Sequence, residues 1–208
     1  MIEPGPDCPL CPRLVAYRTE LRAKRPDWRN APVPSFGSSD ASLLILGLAP
    51  GAAGANRTGR PFTGDFAGDL LYETLLKQGF ARGAYDGRAD DGLELADARI
   101  SNAVRCAPPQ NKPVGAEIRT CRRFLEAELA GMPRLRAILA LGLISHDQAC
   151  AALGARLPFS HGARHAARDG LMLFDSYHCS RLNTNTGVLT PAMFEAVLAA
   201  IRDWLNQL

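Results

Sequence analysis

The stretch SLLILGL, residues 42–48, is a continuous apolar run of the kind found in a strand covered on both faces. The loop APGAAGANRTGRPFTGD follows at 49–65, and at 66–79 Leu70, Leu71, Thr74 and Leu75 then fall on one helical face. Strand, glycine-rich loop and helix make a βα unit. Further along the chain the spacing predicts a strand at 98–104, a helix at 115–130, a strand at 136–141, a helix at 144–153 and a strand at 171–175. This alternation implies a parallel sheet between helical layers.

Upstream, Leu14, Tyr17, Arg18 and Leu21 have helical spacing until Pro26 stops the pattern. At the far end Thr190 caps a helix with Pro191 in its first turn, and Phe194, Val197, Leu198, Ile201 and Leu205 share one face. Residues 81–97 are polar and glycine-rich and read as a surface excursion. The chain of 208 residues has the size of one domain, 1–208. At 47% hydrophobic and 22% charged it is neither disordered nor a coiled coil.

No apolar stretch approaches the ~20 residues of a membrane span. Residues 1–12 lack a basic segment followed by an apolar run, so a cytoplasmic protein with no membrane association is expected. The net charge of +3 proves no polyanionic partner, although all but three of the 24 basic residues are arginine, which suits bidentate phosphate contacts. A GC-rich genome enriches arginine equally.

In an open α/β sheet the ligand lies beyond the carboxyl ends of the strands, so loops 49–65, 102–114 and 176–190 are expected to line one crevice. The first loop fails the phosphate-binding patterns. Gly54 and Gly59 are followed by Arg60-Pro61 where a P-loop needs Lys and Ser or Thr, and Gly47, Gly51 and Gly54 lack the dinucleotide spacing. Of six cysteines, Cys8 and Cys11 form C-x-x-C, and Cys106 and Cys121 stand near the second strand. Four thiolates suit zinc or a [4Fe–4S] cluster, and the wide gap between the last two argues against a zinc ribbon. Cys150 reads as a core residue and Cys179 has no assigned role.

The segments GLAPGAAGANRTGRPFTGD (47–65), SNAVRC (101–106) and YHCSRLNTNTGVLT (177–190), with the four cysteines, resemble the motifs of family 5, or type B, uracil-DNA glycosylases. The resemblance implies a three-layer α/β/α sandwich around a four-stranded parallel sheet. It also implies a monofunctional enzyme of base-excision repair that removes uracil from damaged DNA, single- or double-stranded, as a monomer. Such an enzyme extrudes a nucleotide, grips its base and stabilises both the sugar cation and the departing base anion. Carried over, the resemblance makes Phe62 the stacking aromatic, Asn102 the reader of the pyrimidine edge and His178 the donor to uracil O2. Asn183 and Asn185 would orient water or a phosphate, Leu182 would wedge into the base stack, and Ser180 and Arg181 would touch phosphates. It assigns Cys8, Cys11, Cys106 and Cys121 to a [4Fe–4S] cluster that pins the N-terminus.

Each role has a plainer alternative: Phe62 as a core residue, Asn102 as a turn former, and His146, His161 and His165, outside the motifs, as structural residues. The water-activating carboxylate of many superfamily members is missing at Leu48 and Ala49, which leaves Asp65 either as the acid that assists water or the sugar cation or as a helix cap. Cys179 stands where most members have proline. In uracil-selective relatives a tyrosine excludes the C5 methyl of thymine. Here Gly51 and Ala52 leave that wall open, so hypoxanthine, xanthine and 5-substituted uracils are expected substrates too. A non-catalytic iron–sulfur DNA-binding or redox-sensing module and a hydrolase of free nucleosides are the competing classes.

Overall fold

The computed structural model describes residues 2–168 and 170–207. In chain order the elements are α1 (Pro12–Lys24), β1 (Phe36–Gly37), β2 (Leu43–Gly47), α2 (Ala55–Thr58), α3 (Phe66–Lys77), β3 (Ala81–Arg82), β4 (Glu94–Leu95), β5 (Ala98–Asn102), a 3-10 turn (Pro109–Asn111), α4 (Gly115–Ala130), β6 (Ala137–Leu141), α5 (Leu143–Leu153), β7 (Arg164–Arg168), β8 (Leu171–Ser176), α6 (Arg181–Asn185) and α7 (Pro191–Leu205).

The sheet order is β1-β5-β2-β6-β8-β7. The four middle strands are parallel, as the apolar runs require, with Ile45 opposite Ile100 and Leu139, and Leu139 opposite Phe174. Two antiparallel edge strands, β1 and β7, widen the expected four-stranded sheet to six. The polar β7, RHAAR, alternates between exposed and half-buried and carries no apolar run to announce it.

Both sheet faces are covered. Leu43 and Ile45 pack with Leu71 and Leu75 of α3 and Phe194 and Leu198 of α7, whereas Leu44 and Leu46 point to Leu125 and Leu129 of α4 and Ala149 of α5. The chain leaves β2 for β5 on one side and then crosses to β6 on the other, so the strand order reverses at β2 and a crevice opens beyond its carboxyl end. No helix among the described residues is long and apolar enough to cross a membrane.

Residues 81–97 are more than a surface excursion. They form the ribbon β3–β4, bury Leu93, and send Asp91 inward to Arg60. A second buried network fastens the N-terminus: Glu128 of α4, fully buried, receives Arg99 Nε, Arg105 Nη2 and the Ser101 hydroxyl, each at 2.6 Å, and Glu3 reaches the same two arginines. Because a buried carboxylate is costly unless fully paired, this arrangement ties α4, the end of β5 and the N-terminal segment into one unit.

Candidate active site

The three expected loops do meet at the carboxyl edge of the sheet. A small pocket there is walled by Pro50, Gly51, Phe62 and Asp65 from the loop after β2, Asn102 at the end of β5, and His178 just past β8.

Phe62 takes a left-handed backbone conformation, φ 51°, which a bulky residue adopts only under constraint. The constraints are identifiable. The Tyr72 hydroxyl donates to Pro61 O at 2.6 Å and the Tyr85 hydroxyl to Phe62 O at 3.2 Å. Gly68 has no Cβ because Phe62 O occupies that space. Arg60 lies 5% exposed among the rings of Phe36, Tyr72 and Tyr85, with Nε on Thr63 and its other two nitrogens on Asp91 at 2.7 and 2.6 Å. The guanidinium holds the Asp91 carboxyl far below the usual carboxylate range. Sequence reading missed this brace, since nothing local marks Arg60 and Asp91 as partners across 31 positions.

The Phe62 ring approaches His178 at 5.9 Å, nearly parallel. A Cβ on Gly47 would sit 2.5 Å from Asn102 Oδ1 and 2.6 Å from Phe62 Cζ, so only glycine at the end of β2 lets these side chains meet. Asn102 is buried, yet its carboxamide makes no hydrogen bond among the described residues, and neither does the His178 imidazole. The His178 ring keeps a partly accessible edge toward the pocket, but the surrounding protein desolvates it and pushes it down to about 4, so it is neutral at pH 7.

Asp65 resolves its two readings into one geometry. Its Oδ1 accepts the Gly68 N–H at 3.4 Å and so caps α3, while its Oδ2 turns to the loop, where a Cβ on Gly51 would lie 3.1 Å away. Burial raises its carboxyl, and the backbone N–H groups of Gly68 and Ala67 oppose that rise. The space beside Gly51 is thus bounded by a carboxylate. Ala52 does not line the pocket; its carbonyl accepts from Asn56.

In the third loop Ser180 caps the short helix α6 by accepting the Asn183 N–H. Asn183 Nδ2 donates to His178 O at 2.8 Å, so the side chain is spent on the backbone of the histidine. Asn185 is exposed and stands outside the pocket wall. Leu182 is 71% exposed, an unusual state for leucine at a loop tip, and Arg181 is exposed with its guanidinium 5.2 Å from the Phe66 ring. Cys179, fully buried, donates to Ala67 O.

Just past the same carboxyl end of β5, Cys8, Cys11, Cys106 and Cys121 line one enclosed apolar cavity with Leu14, Val104 and Phe124. Arg18 Nη1 is 3.8 Å from Cys106 Sγ, and the Arg105 N–H points to Cys121 Sγ at 3.4 Å. Burial pushes the Cys106 thiol up to about 12 and the Cys121 thiol up to about 11. Among the described residues no three His, Cys, Asp or Glu side chains are placed to hold a single metal ion.

The fold is that of an α/β protein with a polar slot at the strand-order reversal and an exposed leucine, Leu182, on the loop that follows β8. The profile of the uracil DNA glycosylase superfamily matches residues 34–202. A type-5 uracil-DNA glycosylase of Thermus thermophilus is 46% identical over 199 residues, 92% of this chain and 90% of that one. A type-5 enzyme of Pyrobaculum aerophilum is 40% identical over 197 residues, 92% and 86% of the two chains, and a type-4 uracil-DNA glycosylase of the same organism 36% over 151 residues, 72% and 63%. The chain belongs to the uracil DNA glycosylase superfamily.

The capping contact of Asp65 has a measurable consequence. Asp65→Ala should lower unfolding stability in urea by about 0.5–2 kcal/mol through loss of the cap, and Asp65→Asn should recover most of it.

Proposed function

We propose that the protein hydrolyses the N-glycosidic bond of uracil in DNA and leaves an abasic site. One observation carries the reading: Asn102 and His178, both without hydrogen-bond partners among the described residues, face one slot floored by Phe62. The carboxamide offers a donor and an acceptor to the slot, and a pyrimidine edge offers an acceptor and a donor to match. The flipped base would stack on Phe62, and Asn102 would contact O4 and N3–H.

As the glycosidic bond breaks, the electron pair goes to the base and negative charge grows at O2. A neutral His178 is suited to donate there, because it meets the developing anion without first binding it as a fixed cation. Such a donor is worth roughly 10²–10³ in rate. Asp65, with Oδ2 turned to the loop, would stabilise the sugar cation and align the water that attacks it. Asn183 would hold His178 in place. Leu182, exposed at the tip of α6, suits the wedge that fills the vacated stack, with Arg181 and Ser180 near the phosphates. Asn185, exposed beside them, would face DNA outside the slot.

Hypoxanthine, xanthine and 5-substituted uracils remain within the proposed range. No aromatic ring stands at Gly51, and shape selection by a methyl-sized contact is worth only ~1–3 kcal/mol. The wall that remains is the Asp65 carboxylate.

We also propose that Cys8, Cys11, Cys106 and Cys121 hold a [4Fe–4S] cluster. Their shared apolar cavity and the N–H groups of Arg18 and Arg105 aimed at two of the sulfurs support it. When bound it would supply a structural cross-link between the N-terminus, the end of β5 and α4.

Two measurements test these readings. Free uracil should be released from uracil-containing DNA and not from uridine, and His178→Ala or Asn102→Ala should each slow release by roughly 10²–10³-fold with DNA binding retained. Release unaffected by either change would refute the assignment. Protein purified without oxygen should be brown, with iron and sulfide in equal amounts, and Cys150→Ser should stay brown whereas Cys106→Ser should not. A colourless protein with one zinc would contradict the cluster.

A further inference from the structure

The remaining three histidines all converge on the residues just before His178. His146 Nδ1 lies 2.7 Å from Asp175 Oδ1, and His165 Nε2 lies 3.5 Å from Asp175 Oδ2. His161 stacks on the Tyr177 ring at 4.9 Å and 15°, and its Nδ1 accepts the Tyr177 N–H at 3.1 Å. Ser176 Oγ lies 3.5 Å from the same Nδ1, and its hydroxyl donates to Tyr177 O at 2.9 Å.

The position of that N–H gives the contact its weight. The parallel ladder between β6 and β8 ends at the pairing of Leu141 with Ser176, and the Gly142 N–H takes Ser176 O. Beyond this point no strand partner holds the chain. The Tyr177 N–H is captured by His161, Tyr177 O accepts from the Ser176 hydroxyl, and His178 O accepts from Asn183. The residue that faces the slot is therefore clamped on both sides by side chains.

We propose that His161 is a positioning residue: in its neutral form it holds the Tyr177 peptide and so aims His178 into the slot, and protonation of His161 releases that hold. An imidazole accepts at Nδ1 only while that nitrogen keeps its lone pair. An imidazolium would set N–H against N–H. The surroundings favour the neutral form, and partial burial lowers His161 from the ordinary histidine value. From β8, Asp175 Oδ1 is held by His146, its Oδ2 lies 3.5 Å from His165 Nε2 without a hydrogen bond, and Tyr177 presents its ring. From β7, the exposed Arg164 shares a groove with His161. From α7 only Met193, Ala196, Val197 and Ala200 face that groove, with no charge.

The inference rests on the reading of His178 as a base-contacting donor, and the test keeps the two apart. Single-turnover uracil release and hydrogen exchange of the Tyr177 N–H are followed from about pH 5 to 8 in the wild type, His161→Asn and His161→Ala. Asparagine supplies an acceptor oxygen where Nδ1 stands and does not titrate. In the wild type, release and Tyr177 protection should fall together on the acid side. His161→Asn should keep both at acid pH. His161→Ala should lose protection at every pH and release uracil more slowly, by up to about a hundredfold as expected of a catalytic group displaced by about 1 Å, with KM for DNA unchanged. The inference is overturned if His161→Asn shows the same acid loss as the wild type, or if His161→Ala keeps the Tyr177 protection. A wild type that releases no uracil at any pH would refute the glycosylase reading alone, since the exchange of Tyr177 still reports on His161.

Discussion

Desolvation of the His178 imidazole against Phe62 is the constraint on which the site turns. A histidine on an open surface would titrate near neutrality, and its hydrogen bonds would compete with water. Set against the Phe62 ring, with an accessible edge on the pocket, it is pushed down by desolvation and stays neutral, and no protein group occupies its ring nitrogens among the described residues. The same exclusion of water strengthens every interaction made with charge that develops in the slot.

That desolvated wall is held up from a distance. Phe62 stands in a costly backbone conformation, and the compensation comes from Tyr72, Tyr85 and the Arg60–Asp91 pair. A buried pair of this kind adds little net stability over apolar packing, but it is strongly destabilising to break. It therefore acts as a geometric lock, and the ribbon 81–97 that carries Asp91 becomes part of the site's scaffold. The Glu128 network performs the same service at the cysteine cavity, where it sets the backbone on which Cys106 follows Arg105.

The parallel core was legible because SLLILGL and the runs near 100, 138 and 173 must be covered on both faces, and the six-residue-scale punctuation of loops and caps placed the helices between them. The edges were not legible. β7 is a polar edge strand whose ladder partner lies on one side only, and β1 spans two residues. The resemblance singled out Phe62, Asp65, Asn102 and His178, and all four line one pocket; strand ends by themselves dictate only where the three loops go. Ala52 and Asn185 belong to the same motifs yet fall outside the pocket wall, since neighbours in sequence on a tight turn or a short helix point in different directions. Asp91, Tyr85 and His161 carried no local signal. Their importance comes from contacts across long sequence separations that only the folded chain brings about.

The central claim is that the resting site presents a neutral His178 donor. Nitrogen-15 NMR of the histidine ring nitrogens, with His178 assigned by its loss in a His178 variant, tests it most directly. The account predicts a neutral imidazole signature for His178 throughout about pH 5 to 8, in keeping with a group pushed down to about 4. An imidazolium signature for His178 at neutral pH would contradict it.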